Sequence, residues 1–417
     1  MTGLSLMPHA GASGRRIGLA MAGGGPEGAV YEVGALCALE DAFDGVDFND
    51  LEVYVGISSG GFLGACLANG VRIEEMARAI TSGPGNAQNP FRPEIFFTPS
   101  RRELCARLGS LPRLLAGSIR RYLADSGDLT LLESLMDLAQ ALPVGLFDNE
   151  PVRLFLEKLI DDQGGTNDFR RLGRKLRIVT ADLDSGQAVV FGGAGHDQVP
   201  ISVAVQASTA LPGLYPPVEI DGRYYVDGVL LKTVHASVAL AEGAQLLFCI
   251  NPIVPVDTVR AVEAGVMKRG KLVDRGLPTV MSQTFRTLIR SRLGVGMKSY
   301  ESQFPGSDVV LLEPKRDDYR MFFTNVFSFS DRRATCEHAY RETLGELRRR
   351  RDVLEPVLER HGITLVEEVM ADPERDLWHR LGPTLDDENR ERLARGNGRN
   401  PEVERLDRAL ARLEAML

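Results

Sequence analysis

"AMAGGGPEGAVYEVG", residues 20–34, follows the apolar run "RIGLAMA" and leads into text with apolar residues near helical spacing. The stretch reads as strand, glycine-rich turn and helix. Gly23, Gly25 and Gly28 have the G-x-G-x-x-G spacing of a dinucleotide-binding turn, and Gly23 with Gly28 has the glycine spacing of a P-loop. The P-loop reading fails, because Ala29 and Val30 stand where Lys and Ser/Thr must hold phosphate and magnesium. The dinucleotide reading survives this test, since Glu40, Asp41 and Asp44 lie near the distance expected of a ribose contact. A tight turn needing glycine only for positive φ fits too, as does a loop whose amides face a developing oxyanion.

Outward from the loop, strand and helix alternate. "LEVYVGIS" is a strand and "SGGFLGACLANG" a helix; "LRIVTADL", "AVVFGG", "QLLFCINP" and "DVVLLEP" are further strands. This alternation predicts an α/β fold with a largely parallel sheet covered on both faces. Residues 1–14 read as a flexible tail and 15–331 as the main domain, with a Pro- and Arg-rich helical insertion at about 84–149; 332–417 read as a charged helical C-terminal extension. At 417 residues and 44% hydrophobic, the chain can bury one large core and a smaller appendage. A net charge of -8 gives no global attraction for nucleic acid, and no zinc-finger or RNA-binding signature is visible. The five cysteines are scattered without CxxC spacing, which predicts small core residues rather than a disulfide framework or zinc site. No run reaches the roughly 18 apolar residues of a spanning helix, and a soluble, cytoplasmic protein is expected.

The strand after the glycine loop ends in "GISSG", where Gly56, Ser58 and Gly60 form G-x-S-x-G, the nucleophile elbow that holds a serine exposed at a helix start. A serine cap beside a glycine turn gives the same letters, so context has to discriminate. In "ASTALPGLYPPVEIDGRYYVDGVLLKTVHAS", residues 207–237, Asp227 precedes Gly228 at the end of a predicted strand. Glycine loop, elbow, "ASTALPGLYPP" and Asp-Gly pair follow in this order, and with them the chain resembles the patatin-like phospholipase family over roughly residues 15–313. The resemblance implies a three-layer α/β/α fold and hydrolysis of lipid acyl esters without metal or cofactor. It implies Ser58 as nucleophile, Asp227 as base without histidine, and Gly23, Gly24, Gly25 and Gly28 as the oxyanion loop.

Ser58 needs a base within hydrogen-bond reach. An aspartate near its ordinary value of about 3.9 is a weak one, so burial or a strong Ser–Asp hydrogen bond is expected at Asp227. Gly24 and Gly25 can offer amides at a helix N-terminus, whereas Pro26 has none. Two other classes stay open: a conventional α/β-hydrolase triad using His235, which otherwise reads as a helix-start or surface residue, and a non-enzymatic nucleotide-binding module using the glycine loop. Glu27 stands where the family usually has Arg or Lys, which speaks against an anionic phosphate head group. In the insertion, Phe91, Phe96 and Phe97 precede Arg101, Arg102, Arg107, Arg113, Arg120 and Arg121, interleaved with leucines. That pattern suits a cap over the site or an arginine-rich face on an anionic membrane, and the expectation is a lid that touches lipid transiently. Asn400 and Pro401 open a helix with Val403, Leu406, Leu410, Leu413 and Leu417 on one face, which predicts packing on its own domain or a homodimer seam.

Overall fold

The structure, a computed structural model, describes residues 4–7, 16–82, 93–101, parts of 103–112, 142–263, 272–318 and 328–381. Its centre is a run of parallel strands. β2 (Ile17–Met21) leads through the glycine loop into α1 (Gly25–Ala42), and β4 (Val53–Gly56) through the elbow into α2 (Ser59–Ala68). A two-residue strand, β3 (Phe43–Asp44), lies between them, and α3 (Ile73–Thr81) and α4 (Glu150–Asp162) follow. Next come β5 (Lys175–Asp182), β6 (Ala188–Phe191), α5 (Ile201–Ser208), β7 (Val218–Ile220), β8 (Arg223–Asp227) and α6 (Ala236–Ala241). The chain then forms β9 (Leu246–Ile250), α7 (Thr258–Glu263), α8 (Leu277–Gln303), β10 (Asp308–Leu312), α9 (Phe329–Arg349) and α10 (Arg351–Arg360).

With β1 (Leu4–Met7) at one edge, the order is β1-β10-β9-β2-β4-β5-β8-β7, and β6 also pairs with β5. The strands from β10 to β5 are mutually parallel; β1, β6 and β8 run antiparallel to them, and β7 pairs antiparallel with β8 at the margin. This is the mostly parallel sheet with helical layers that the alternation predicts. Successive strand residues feed two cores, as a period of two requires. Leu19, Met21, Tyr54, Phe248 and Ile250 pack beneath α1, α2 and α9, whereas Ala20, Val53, Val55, Leu247 and Cys249 pack beneath α6 and α8.

Residues 4–7 depart from the expected tail. Leu4 pairs with Leu312 and Met7 with Val309, because the open edge of β10 offers backbone groups that a short extended segment can satisfy. The C-terminal region is helical, as expected, and its first helix is built into the main core: Cys336, Ala339, Tyr340 and Leu347 are buried with α1 residues. A Cβ on Gly34 would lie 2.3 Å from the Cys336 carbonyl oxygen, so this glycine sets how closely α1 and α9 cross. The boundary expected at 331/332 falls inside α9. Four cysteines are buried, but Cys105, expected in the core, is exposed, since it sits in the insertion rather than in a central element. In the described parts of that insertion Pro99 bridges Phe147, and Gly145 bridges Gly213 of the main domain. Phe91, Arg102, Arg113, Arg120, Arg121 and the helix expected at 400–417, with its dimer seam, lie outside the described residues. Among the described residues no helix is long and apolar enough to cross a membrane.

Candidate active site

One turn sets the candidate nucleophile. Ser58, between β4 and α2, has φ 53° and ψ -124°, a conformation that costs a residue with a Cβ about 1–3 kcal/mol. Its surroundings impose it. A Cβ on Gly56 would lie 2.4 Å from the Gly60 carbonyl oxygen, and one on Gly60 would lie 2.3 Å from that of Ala22. The Gly60 N–H donates to the Ala22 carbonyl at 3.0 Å, tying the elbow to the end of β2. Ser58 N–H donates to Ser208 Oγ at 2.8 Å, and the Ser208 hydroxyl donates to the Val179 carbonyl at 2.7 Å. Of the two serines in the motif, Ser59 keeps its Oγ buried without a hydrogen-bond partner among the described residues, while Ser58 is 7% exposed.

Strand register brings up the candidate base. Gly56 pairs with Ile178 across β4 and β5, two residues before Ser58, and two residues further along β5 Thr180 pairs with Asp227 of β8. Asp227 is buried; it accepts the Val229 N–H at 2.9 Å, and the Ser58 side chain acts to lower its titration. Burial pushes its carboxyl up to about 7, and these two groups oppose that shift only in part. A Cβ on Gly228 would lie 2.5 Å from the Val179 carbonyl oxygen, which explains the glycine after the aspartate.

The glycine loop closes the third side. Gly24 and Gly25 have φ 145° and 64°, and a Cβ on Gly23 would lie 2.8 Å from Ser58 Cβ. Among the described residues no hydrogen bond is donated by the Gly24 or Gly25 N–H, and both groups stand at the positive end of α1. Glu27 lies over the loop, with Oε2 3.4 Å from the place of a Gly25 Cβ. Burial raises its carboxyl above the ordinary range, and the charge of Arg286 on α8 opposes this. Arg286 is itself lowered by burial and held up by Glu27. Among the described residues no group of three or more His, Cys, Asp or Glu could hold a metal ion.

The other expected residues lie elsewhere. His235 caps α6, buried rather than on the surface, with φ 45° and its Nε2 3.3 Å from the Gly228 carbonyl oxygen. Burial lowers it to about 4, so the imidazole is neutral near pH 7. Glu40 pairs with Arg380, and Asp41 binds Tyr340 at 2.7 Å and Arg375 at 2.9 Å. Those carboxylates hold the C-terminal helices to the far end of α1 rather than facing the glycine loop. Two residues beside the site carry no role in the sequence reading. Ser208 lies inside "ASTALPGLYPP" but has no local signal of its own, and Arg286 reaches Glu27 from more than 250 positions away in sequence.

The patatin-like phospholipase family matches residues 19–240, more than half of the chain. An uncharacterized NTE family protein of Mycobacterium tuberculosis strain H37Rv is 30% identical over 96 residues, 23% of this chain and 16% of that protein. The Mycobacterium bovis counterpart matches to the same extent, so the chain spans 16% of the length of these curated relatives. VipD from Legionella pneumophila aligns with a TM-score of 0.31 at 17% identity, covering 60% of this chain and 53% of its own. Human GIVD cytosolic phospholipase A2, in complex with methyl gamma-linolenyl fluorophosphonate, aligns with a TM-score of 0.31 at 11% identity, covering 83% of this chain and 58% of its own. With the family match spanning loop, elbow and Asp-Gly pair in one mostly parallel sheet, the chain belongs to the patatin-like phospholipase family.

Proposed function

We propose that the protein hydrolyses the carboxylic ester of a lipid in two acyl-transfer steps through Ser58 and Asp227. Ser58 Oγ attacks the ester carbonyl carbon while the Asp227 carboxylate takes its proton. Charge passes to the carbonyl oxygen, and the Gly24 and Gly25 N–H groups at the head of α1 are the donors placed to receive it. Collapse of the tetrahedral intermediate expels the alcohol, which takes the proton from Asp227 and leaves the acyl group on Ser58. Water then attacks the acyl carbon and gives a proton to Asp227; collapse returns that proton to Ser58 and releases the carboxylic acid.

The buried Asp227 carboxyl, placed where the Ser58 side chain acts on its titration, carries this reading. A carboxyl held up at about 7 is a far better base than an ordinary aspartate and titrates in the range where a general base is most effective. His235, committed to the Gly228 carbonyl, supports the dyad over a triad. Glu27 beside the oxyanion loop favours lipid esters whose head group brings no negative charge there. The test is a panel of neutral, zwitterionic and anionic acyl esters against the parent protein and Ser58→Ala, with fluorophosphonate labelling read by mass spectrometry. Labelling and hydrolysis should both vanish in Ser58→Ala while the circular dichroism spectrum stays unchanged. Hydrolysis retained by that variant, or a label on another residue, refutes the proposal.

A further inference from the structure

Helix α8 has an inner face that fits the fold and an outer face that does not. Ile289, Leu293, Met297 and Tyr300 recur at helical spacing and are buried against the sheet. On the opposite side Leu277, Met281, Leu288 and Val295 are 72%, 42%, 56% and 71% exposed. Met281, Leu288 and Val295 are seven apart and Leu277 lies one turn earlier, so the four form a stripe about 27 Å long at 1.5 Å per residue. Val273, just before the helix, is 70% exposed. The solvent face of a helix normally carries charge. Here the exposed described positions between Leu277 and Val295 include one charged residue, Arg292, whose guanidinium donates to the Leu230 carbonyl at 2.8 Å.

Positive charge predominates in the sequence around the stripe, with Arg290 paired to Glu313. Residues 264–303 contain eight Lys or Arg against Asp274 and Glu301 alone, in a chain whose net charge is -8. The same helix touches the candidate site on both flanks: Arg286 faces Glu27 of the glycine loop, and Arg292 binds the turn after Asp227. An apolar stripe within a basic segment is the pattern of a helix lying in the interface of an anionic bilayer. We infer that the outer face of α8 docks the protein on an anionic lipid surface and so brings the ester site to its substrate. The inference rests on the lipid-ester reading of that site.

The test is cosedimentation of the full chain with phosphatidylcholine vesicles, with and without phosphatidylglycerol. A triple variant, Met281→Ser, Leu288→Ser and Val295→Ser, and Ser58→Ala run beside the parent. The parent should bind the anionic vesicles more tightly than the neutral ones. The triple variant should lose at least about tenfold in partitioning, with an unchanged melting temperature and unchanged hydrolysis of a soluble short-chain ester. Ser58→Ala should bind as the parent does. Anionic vesicles bound equally well by the triple variant overturn the docking face. So does a parent dimer that the triple variant splits without changing vesicle binding, since a second copy then covers the stripe. Ester hydrolysis retained by Ser58→Ala would instead refute the catalytic reading while leaving the vesicle result intact.

Discussion

Replacing Asp227 by Asn should destroy activity and stabilise the fold, and the second effect should depend on pH. The carboxyl titrates near 3.8 when unfolded and at about 7 in the folded protein, because burial disfavours its charge more than the Val229 N–H and the Ser58 side chain favour it. Below pH 4 both states hold the proton, and the group has no effect on stability. Between the two values the folded state holds a proton that the unfolded state releases, so stability falls as pH rises. Above about pH 7 the loss is complete; at 1.36 kcal/mol per unit it amounts to about 4 kcal/mol. Asn escapes this cost and can keep the Val229 N–H bond through its oxygen, although its amide N–H groups then need acceptors. The net gain at pH 8.5 is therefore expected at about 1–3 kcal/mol. Urea unfolding of both proteins from pH 4 to 9 measures it: the gap should be near zero at the acid end and widen until neutrality. A gap independent of pH, or an Asn variant weaker at pH 8.5, refutes the claim that burial raises the Asp227 carboxyl. In the parent, kcat/KM on a neutral ester should rise with pH to a plateau through the same titration.

Ser208→Ala removes the acceptor of the Ser58 N–H and the donor to Val179, leaving two buried groups unpaired; it should cost about 1–3 kcal/mol in urea unfolding and lower kcat more than it raises KM. Gly23→Ala places a methyl 2.8 Å from Ser58 Cβ, so kcat should fall about 100-fold with the fold intact by circular dichroism, and an active variant would show that the loop gives way freely. Glu27→Gln removes negative charge beside the glycine loop, and the ratio of kcat/KM on anionic over neutral esters should rise several-fold; an unchanged ratio means the carboxylate does not act on the head group.

The glycines of the loop and elbow are legible because backbone sterics force them. Gly56 and Gly60 face carbonyl oxygens at 2.4 Å and 2.3 Å, and no other residue fits a strand that turns so sharply into a helix. The parallel centre is legible because its strands are buried on both faces and read as unbroken apolar runs. Long-range partners leave no such trace. Ser208 meets Ser58 across 150 positions, and a serine within "ASTAL" looks no different from a serine that does nothing. The α9 segment reads as charged because its solvent face carries the charges, while Cys336, Ala339, Tyr340 and Leu347 form the buried stripe. Neither β1 nor the antiparallel direction of β8 is visible locally, since side-chain alternation is the same in both senses of pairing.

Two unfavourable features, a strained serine and a buried carboxyl, stand at the ends of β4 and β8, the strands on either side of β5. Such features persist only where rigid surroundings over-determine them, and here the surroundings are fully buried strands and two glycines without room for a Cβ. The strain therefore has its own test, separate from catalysis. Ser58→Ala and Ser58→Gly should both be inactive, yet they should differ in stability. Alanine keeps the Cβ that φ 53° and ψ -124° disfavour, whereas glycine reaches that region at little cost. The relief is expected at about 1 kcal/mol, offset by the greater freedom of glycine in the unfolded chain, which costs about 0.4–1 kcal/mol. Glycine should thus melt at or above alanine, and because Ser58 is the N-cap of α2 the ordinary preference for glycine over alanine there acts in the same direction. If Ser58→Gly unfolds well below Ser58→Ala, the elbow holds no strain, and the exposure of Ser58 has to come from the glycine contacts alone.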